Sequence, residues 1–322
     1  MQTISVYLNQ RASNTSLEFW KNRIGSALFR SDLKFHEPKN ISELRDQLSR
    51  DIEDQVDTVV SVGGDGTVNT LIQQLADTNI GLLVIPGGTA NDLAHELGLE
   101  KNVKKVIQYV RQKNVKQIDL IRVNQRLFAT NGGFGLGGEV AKRINEMRKC
   151  YPKFKDLMKF TGKKIYSLFV AQEMLSLNSK MYHLNIKSNE MNGQFHCHAL
   201  LINNQPVIAG TFHVAPKTKN DDGKFNVTIL THKNKFELVR ALIQVTQGIP
   251  IEGDPHFINF ETDSLLVENL EKNKVISFFG DGEVFEERDQ VWNISIKPQS
   301  LKVYSKNSAV DMVDLVNEVH LS

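Results

Sequence analysis

The run Asp57-Thr58-Val59-Val60-Ser61-Val62 leads straight into Gly63-Gly64-Asp65-Gly66-Thr67 and then Val68-Asn69-Thr70-Leu71-Ile72, and no other stretch constrains the fold as much. A short β-branched apolar run reads as a buried strand, and the apolar spacing after it reads as a helix. Joining them through glycines leaves backbone N–H groups at a helix N-terminus, where an anion can meet them. Glycine lets a phosphate approach the backbone closely, and Thr67 is placed to cap the helix and donate its hydroxyl. Asp65 is the anomaly. A carboxylate beside a phosphate repels it unless a metal or a substrate hydroxyl intervenes, so Asp65 predicts magnesium association or positioning of a nucleophile. The competing reading is a tight turn with Asp as its local acceptor.

A second strand–loop–helix element repeats the pattern: Leu82-Leu83-Val84-Ile85, then Pro86-Gly87-Gly88-Thr89-Ala90-Asn91-Asp92, then Leu93-Ala94-His95-Glu96-Leu97. Neighbouring parallel strands would bring both loops to one sheet edge, where open α/β sheets bind ligands. Strand-like runs at 4–8, 33–36, 57–62 and 81–85 alternate with helical ones at 17–29, 42–52, 67–76 and 91–97, which predicts βαβ units with a mostly parallel sheet. From about residue 117 short alternating runs take over, at 118–123, 126–130, 183–186, 196–202, 225–230, 264–267, 275–279, 291–296 and 301–304. These predict an antiparallel β-sandwich. A helical insertion at 139–177, with a break at Pro152, interrupts them. Helical spacing at 308–322 predicts a tail helix packed on one domain. The expected domains are an α/β domain over 1–122, a β-sandwich over 123–304 and the tail over 305–322.

At 322 residues the chain is long enough for two domains. Forty per cent hydrophobic and 24% charged residues suit a water-soluble globular protein. No window of about 18 apolar residues occurs, and the N-terminus has no secretory pattern. Cys150 and Cys197 lie far apart, which favours a reducing, cytoplasmic setting. The net charge of +2 argues against a nucleic-acid partner.

The two glycine loops together resemble the catalytic domain of the diacylglycerol and sphingosine kinase family, including the soluble bacterial lipid kinases. The likeness extends in order through Ile118-Asp119-Leu120, Asn131-Gly132-Gly133-Phe134-Gly135, Ala215-Pro216, Asp221-Asp222-Gly223 and Asp281-Gly282-Glu283. It implies an N-terminal α/β domain of the NAD kinase and diacylglycerol kinase kind followed by a β-sandwich that handles lipid. The activity it implies is transfer of the γ-phosphate of ATP, with Mg²⁺, to a lipid hydroxyl.

By this resemblance Gly63, Gly64, Asp65, Gly66, Thr67 and Asn69 contact ATP, joined by Thr89, and Asp92 orients groups in the cleft. Glu283 is the implied base that takes the hydroxyl proton, which is chemically reasonable because phosphoryl transfer needs an oriented nucleophile and a base in reach. Read alone, Asp281-Gly282 is a hairpin turn. A structural Mg²⁺ is implied near Asp222, with backbone carbonyls around Lys219 and Lys224. The family's Asn-Pro-x-x-Gly loop is replaced by Asn9-Gln10-Arg11-Ala12-Ser13-Asn14, which keeps Asn9 and offers Arg11 as the positive charge. The stretch before Ala215-Pro216 is reduced to Ala209-Gly210-Thr211.

Nine Lys or Arg between 142 and 164, against Glu146 and Asp156, are interleaved with Met147, Tyr151, Phe154, Leu157, Met158 and Phe160. Such a segment suits an anionic membrane surface, although a solvated helix face has the same composition. A lipid substrate and peripheral membrane contact through this segment are therefore expected, and a homodimer is admissible. His196-Cys197-His198 cannot converge on one ion if it lies on a strand, because successive side chains point to opposite faces. Gly133-Phe134-Gly135-Leu136-Gly137-Gly138 echoes a dinucleotide fingerprint but follows a sandwich-type strand, and is expected to shape the cleft and lipid pocket. Two other readings compete with the lipid kinase. An NAD kinase shares Gly-Gly-Asp-Gly-Thr but carries an Asn-x-Gly second motif; a catalytically weak lipid- or nucleotide-binding regulator would explain the altered 9–14 loop. Diacylglycerol, phosphatidylglycerol and sphingoid bases all stay open as acceptors.

Overall fold

The computed structural model describes residues 1–9, 16–88, 91–100, 102–150, 181–208, 210, 212–251, 253–271, 273–287 and 290–306. Arg11, Thr89, the 151–164 part of the basic segment and the expected tail helix lie outside them. Internal contacts divide the chain into two units, Met1–Ile118 with Gln299–Ser322, and Asp119–Pro298.

The first unit runs β1 (Thr3–Leu8), α1 (Leu17–Ala27), β2 (Asp32–His36), α2 (Ile41–Glu53), β3 (Thr58–Gly63), α3 (Asp65–Leu75), β4 (Gly81–Pro86), α4 (Asp92–Glu96) and α5 (Val103–Gln112). The strands are parallel in the order β2-β1-β3-β4. β3 is buried at every position, and β1 and β4 at all but one, as befits a parallel sheet covered on both faces. Local signals start two of the helices: the Ser16 side chain accepts from Phe19 N at α1, and that of Asn40 from Glu43 N at α2. Helix α5 adds to the expected set, with Val103, Val106, Ile107 and Val110 buried at helical spacing.

Residues 299–304, placed by the sequence in the sandwich, instead extend the parallel sheet. Val303 pairs with Leu82, and the Tyr304 hydroxyl meets that of Thr58 at 2.8 Å. Leu301 and Val303 are fully buried, so burial against the first unit outweighs adjacency in the chain.

Below this sheet Asp51, 3% exposed, accepts from the Tyr7 hydroxyl at 2.6 Å, and His36 Nε2 lies 3.0 Å from the same oxygen. Burial alone would raise the Asp51 pKa, but His36 and Tyr7 outweigh it and hold the carboxyl below its usual range. Burial first, then Asp51, pushes the Tyr7 phenol far above its usual value. A depressed Asp contributes stability above its unfolded pKa of about 3.9 that is lost as pH falls. A raised Tyr contributes stability below its unfolded pKa of about 10 that is lost as pH rises. Tyr7→Phe is therefore expected to lower stability by about 1–3 kcal/mol at neutral pH and to flatten the alkaline limb of the Tm–pH curve. An alkaline limb unchanged from wild type would refute this account.

The second unit contains most of β5 (Val115–Val123), then β6 (Arg126–Phe128), β7 (Asn131–Gly135), α6 (Leu136–Cys150), β8 (Tyr182–Lys187), β9 (Asn192–Cys197), β10 (Ala199–Asn203), β11 (Phe225–Leu230), α7 (Lys235–Thr246), β12 (Phe257–Thr262), β13 (Ser264–Asn269), β14 (Ser277–Gly280) and β15 (Glu283–Glu286). β16 (Val291–Tyr304) follows, and its pairing with β13 lies in this unit. One sheet is antiparallel in the order β12-β11-β10-β7-β14-β15. The other includes the antiparallel ladder β16-β13-β8-β9. Phe134, Leu200, Phe225, Val267, Phe278 and Trp292 share the core between them, which makes the unit the expected sandwich.

Two expectations need correction. The single strand at 196–202 is the end of β9 and the start of β10, broken at His198, whose N–H donates to Leu230 O at 2.8 Å. Strands expected at 291–296 and 301–304 form one strand, with Pro298, which has no N–H for a ladder, where the chain leaves the second unit. The Gly133-Phe134-Gly135 stretch lies in β7, with Phe134 fully buried at the centre of a sheet. His196-Cys197-His198 does not converge. The His196 ring stacks on His183 at 4.0 Å, while His198 Nε2 lies 3.0 Å from His232 O. Cys197 sits in the core, where burial pushes its thiol up to about 12 and keeps it inert.

Candidate active site

In the first unit two glycine loops meet backbone to backbone. Gly87 N donates to Gly63 O at 3.0 Å, and a Cβ on Gly88 would stand 2.6 Å from Gly64 Cα. Only glycine fits position 88 without moving the neighbouring loop. Gly64 is the N-cap of α3 and supplies no side-chain acceptor to the first turn. The helix therefore begins with the amide-rich, electropositive end that binds phosphate oxygens.

Side chains lock this cradle. Asn91 is in the left-handed region (φ 53°, ψ 45°), 5% exposed, and closes the second loop: its Oδ1 accepts from Gly88 N at 2.8 Å and its Nδ2 donates to Gly88 O at 2.9 Å. Asp65, expected as a magnesium ligand or nucleophile positioner, also has a bracing role. Its Oδ2 accepts from Asn91 N and its Oδ1 from Asp92 N, both at 3.0 Å, so the carboxylate caps α4 and pins the second loop to the first. Asp92 is the first residue of α4. Asn9 N donates to Val62 O at 3.0 Å, and Asn9 Nδ2 to Thr67 Oγ1 at 2.9 Å, which leaves the Thr67 hydroxyl its own proton to give. Asn69 stands one turn after Asp65 and accepts from Gln73 Nε2 at 3.4 Å. The structure thus brings Asn9, Gly63, Gly64, Asp65, Thr67 and Asp92 together around one loop pair.

In the second unit Asp281 and Gly282 have φ of 48° and 81° between the paired residues Gly280 and Glu283. Positive φ at both central positions marks the mirror-image hairpin turn for which Asp-Gly is preferred. The Asp281 side chain does more than turn the chain. It is 8% exposed, and its two oxygens accept from Ala129 N and Thr130 N, each at 3.0 Å, while the Thr130 hydroxyl also donates to it. Asn131 Oδ1 accepts from Asn204 N and Gln205 N, and Asn204 Nδ2 donates to Asp119 O and Ala129 O. This buried amide and carboxylate mesh holds the hairpin tip, and Glu283 opens β15 from it with its side chain exposed.

Asp281→Ala would leave two buried amides without an acceptor, at about 1–3 kcal/mol each. A loss of about 2–5 kcal/mol in denaturant-unfolding free energy is expected. Asp281→Asn, which keeps one acceptor oxygen, should lose less; equal stability of all three proteins would show that the mesh does not depend on this carboxylate. Of the residues that position the site, Asn91, Asn131 and Asp281 stand inside motifs legible in the sequence but were given no bracing role, and Asn204 was not singled out. Their hydrogen-bonding partners are chiefly backbone groups, which leave no mark in the sequence.

Asp222 is exposed, and its Oδ1 accepts from Lys224 N at 3.2 Å within a turn that Asp119 Oδ2 also closes through Gly223 N at 2.7 Å. The Asp222 carboxylate and the backbone carbonyls of Lys219 and Lys224 are oxygen donors, the donor type that a hard cation such as Mg²⁺ takes. Among the described residues no group of three or more His, Cys, Asp or Glu could hold a metal.

Two domain families match the chain: the diacylglycerol kinase catalytic domain over residues 4–123, and the YegS C-terminal NAD kinase beta sandwich-like domain over residues 133–305, more than half of the chain. The chain belongs to the bacterial diacylglycerol kinase and YegS-like lipid kinase family. It is a kinase of the phosphotransferase class. Among relatives, a diacylglycerol kinase of Bacillus subtilis is 28% identical over 222 residues, 68% of this chain and 69% of that protein. A diacylglycerol kinase of Mycobacterium tuberculosis is 27% identical over 220 residues, 66% and 67% of the two. The crystal structure of a diacylglycerol kinase from Bacillus anthracis superposes with a TM-score of 0.70 at 15% identity, covering 95% of this chain and 97% of that one. Yeast NADH kinase shares the fold at a TM-score of 0.52 and 10% identity, covering 99% and 87%.

Proposed function

We propose that this lipid kinase uses ATP and Mg²⁺ to phosphorylate a hydroxyl of diacylglycerol or a closely related lipid at a membrane surface. The observation that carries the reading is the cradle in which Gly63-Gly64 and Gly87-Gly88 pack backbone to backbone at the start of α3, pinned by Asp65. The α3 amides and the Thr67 hydroxyl take phosphate oxygens, with Asn9, Gly66, Asn69, Thr89 and Arg11 assigned to the same nucleotide. Asp92 holds the second loop in place. As the lipid oxygen bonds to the γ-phosphorus and the bond to the bridging oxygen of ADP breaks, Glu283 accepts the hydroxyl proton. Magnesium supplies neutralisation of the phosphate charge; a further ion at Asp222, with the carbonyls of Lys219 and Lys224, steadies a turn and takes no part in transfer.

The names of the relatives support a diacylglycerol-type acceptor. Among the described residues no helix is long and apolar enough to cross a membrane, and the basic segment 142–164 is assigned to peripheral contact with anionic lipid from the cytoplasmic side. The test is transfer of label from γ-labelled ATP, with Mg²⁺, to diacylglycerol, phosphatidylglycerol or sphingosine in mixed micelles, with NAD⁺ as a parallel acceptor. Label in diacylglycerol is expected. Label in NAD⁺ alone would move the chain to the NAD kinase side of the fold, and label in no acceptor would favour a binding regulator.

A further inference from the structure

In the second unit α7 is amphipathic in an unusual sense, because it has two apolar faces. Leu238 and Val245 point inward and join Phe212, Val214 and Leu230 in a second core on the outer face of the β12-β11-β10-β7-β14-β15 sheet, and Ala241 is buried on the same side of the helix. Leu136, which opens α6, packs against the same cluster. The opposite stripe is exposed: Phe236 is 86% and Ile243 51% accessible, two turns apart, with exposed Arg240 between them. Ile249, 46% accessible, follows the left-handed Gly248 just beyond the helix, and exposed Lys233 precedes it.

A lone exposed apolar side chain needs no explanation, but two on one helical stripe with a cation between them, and a third just past the helix end, mark a surface made for a partner. The only acidic side chain of the helix, Glu237, is about 100° round the axis from Phe236, off this stripe. We propose that the outward face of α7 docks onto an anionic phospholipid bilayer: Phe236, Ile243 and Ile249 enter the interfacial region while Arg240 and Lys233 meet lipid phosphates. The charge on the stripe selects this occupant, since apolar side chains framed by cations match an anionic interface. None of these residues belongs to the basic segment 142–164. Its placement rests on the reading that the acceptor lies in a membrane.

The experiment is sedimentation of the full chain, without ATP, with vesicles of phosphatidylcholine alone or containing about 30% phosphatidylglycerol. Wild type is expected to bind the anionic vesicles, and Phe236→Glu with Ile243→Glu to bind roughly 10–100-fold more weakly, from the loss of two buried apolar groups. Arg240→Glu should weaken binding to anionic vesicles alone, and serves if the double variant fails to fold. All variants should phosphorylate a short-chain, monomeric diacylglycerol at the wild-type rate. Vesicle binding unchanged in the folded variants overturns the proposal. So does loss of binding together with a halved mass in sedimentation velocity, which would make the face a contact between two copies. If wild type docks through α7 yet phosphorylates no lipid, docking stands and the kinase reading fails, so the two are told apart.

Discussion

Glu283→Gln is expected to slow lipid phosphorylation by roughly 10²–10⁴-fold, the usual contribution of a positioned general base. The substitution keeps the shape and hydrogen-bonding reach of the side chain but removes the acceptor for the hydroxyl proton. Glu283 is exposed at the start of β15 and the fold draws on Asp281 beside it, so Tm should stay at the wild-type value. That contrast separates the neighbours: Asp281→Ala loses stability, Glu283→Gln loses turnover. A Glu283→Gln enzyme within about threefold of the wild-type kcat, with the acceptor in excess, would assign the proton to another group.

Asp65→Ala is expected to be the second most damaging change, and to act on nucleotide binding and stability at once. It leaves the amides of Asn91 and Asp92 without their acceptors, at about 1–3 kcal/mol each, and releases the second glycine loop from the first. A rise in the KM for ATP of about tenfold or more should accompany a lower Tm measured without Mg²⁺. Asp65→Asn, whose amide can accept at only one atom, should fall between. The Tm decides the role of this carboxylate. A residue that serves only as a metal ligand would leave the metal-free Tm untouched, whereas a pin between two loops lowers it.

Much of the fold is legible in the residues because its signals are local. The mostly β-branched run before Gly63 reads as a buried strand, the apolar spacing over 17–29 and 42–52 reads as helix, and Asp281-Gly282 reads as a hairpin turn. The order of motifs from Gly63 to Glu283 likewise carries the family, since each is short and contiguous. Local reading stops where partners are distant in sequence. Nothing near Leu301, Val303 or Tyr304 says that these residues leave the sandwich to extend a sheet begun by Thr3, because their partners Thr58 and Leu82 lie more than two hundred positions away. A separation of 151 or 152 positions likewise hides the bonds of Asp281 to Thr130 and Ala129.

Asp65 shows the division most sharply. The sequence determined that a carboxylate stands in a glycine loop at a helix N-terminus, and the phosphate site expected there argued for a metal or a substrate hydroxyl beside it. The tertiary structure adds the amides of Asn91 and Asp92, each at 3.0 Å, so that backbone N–H groups, which carry no sequence signature, meet the charge. The type of a side chain is written in the sequence; the groups that meet it depend on how distant strands pair, and only the folded chain sets that.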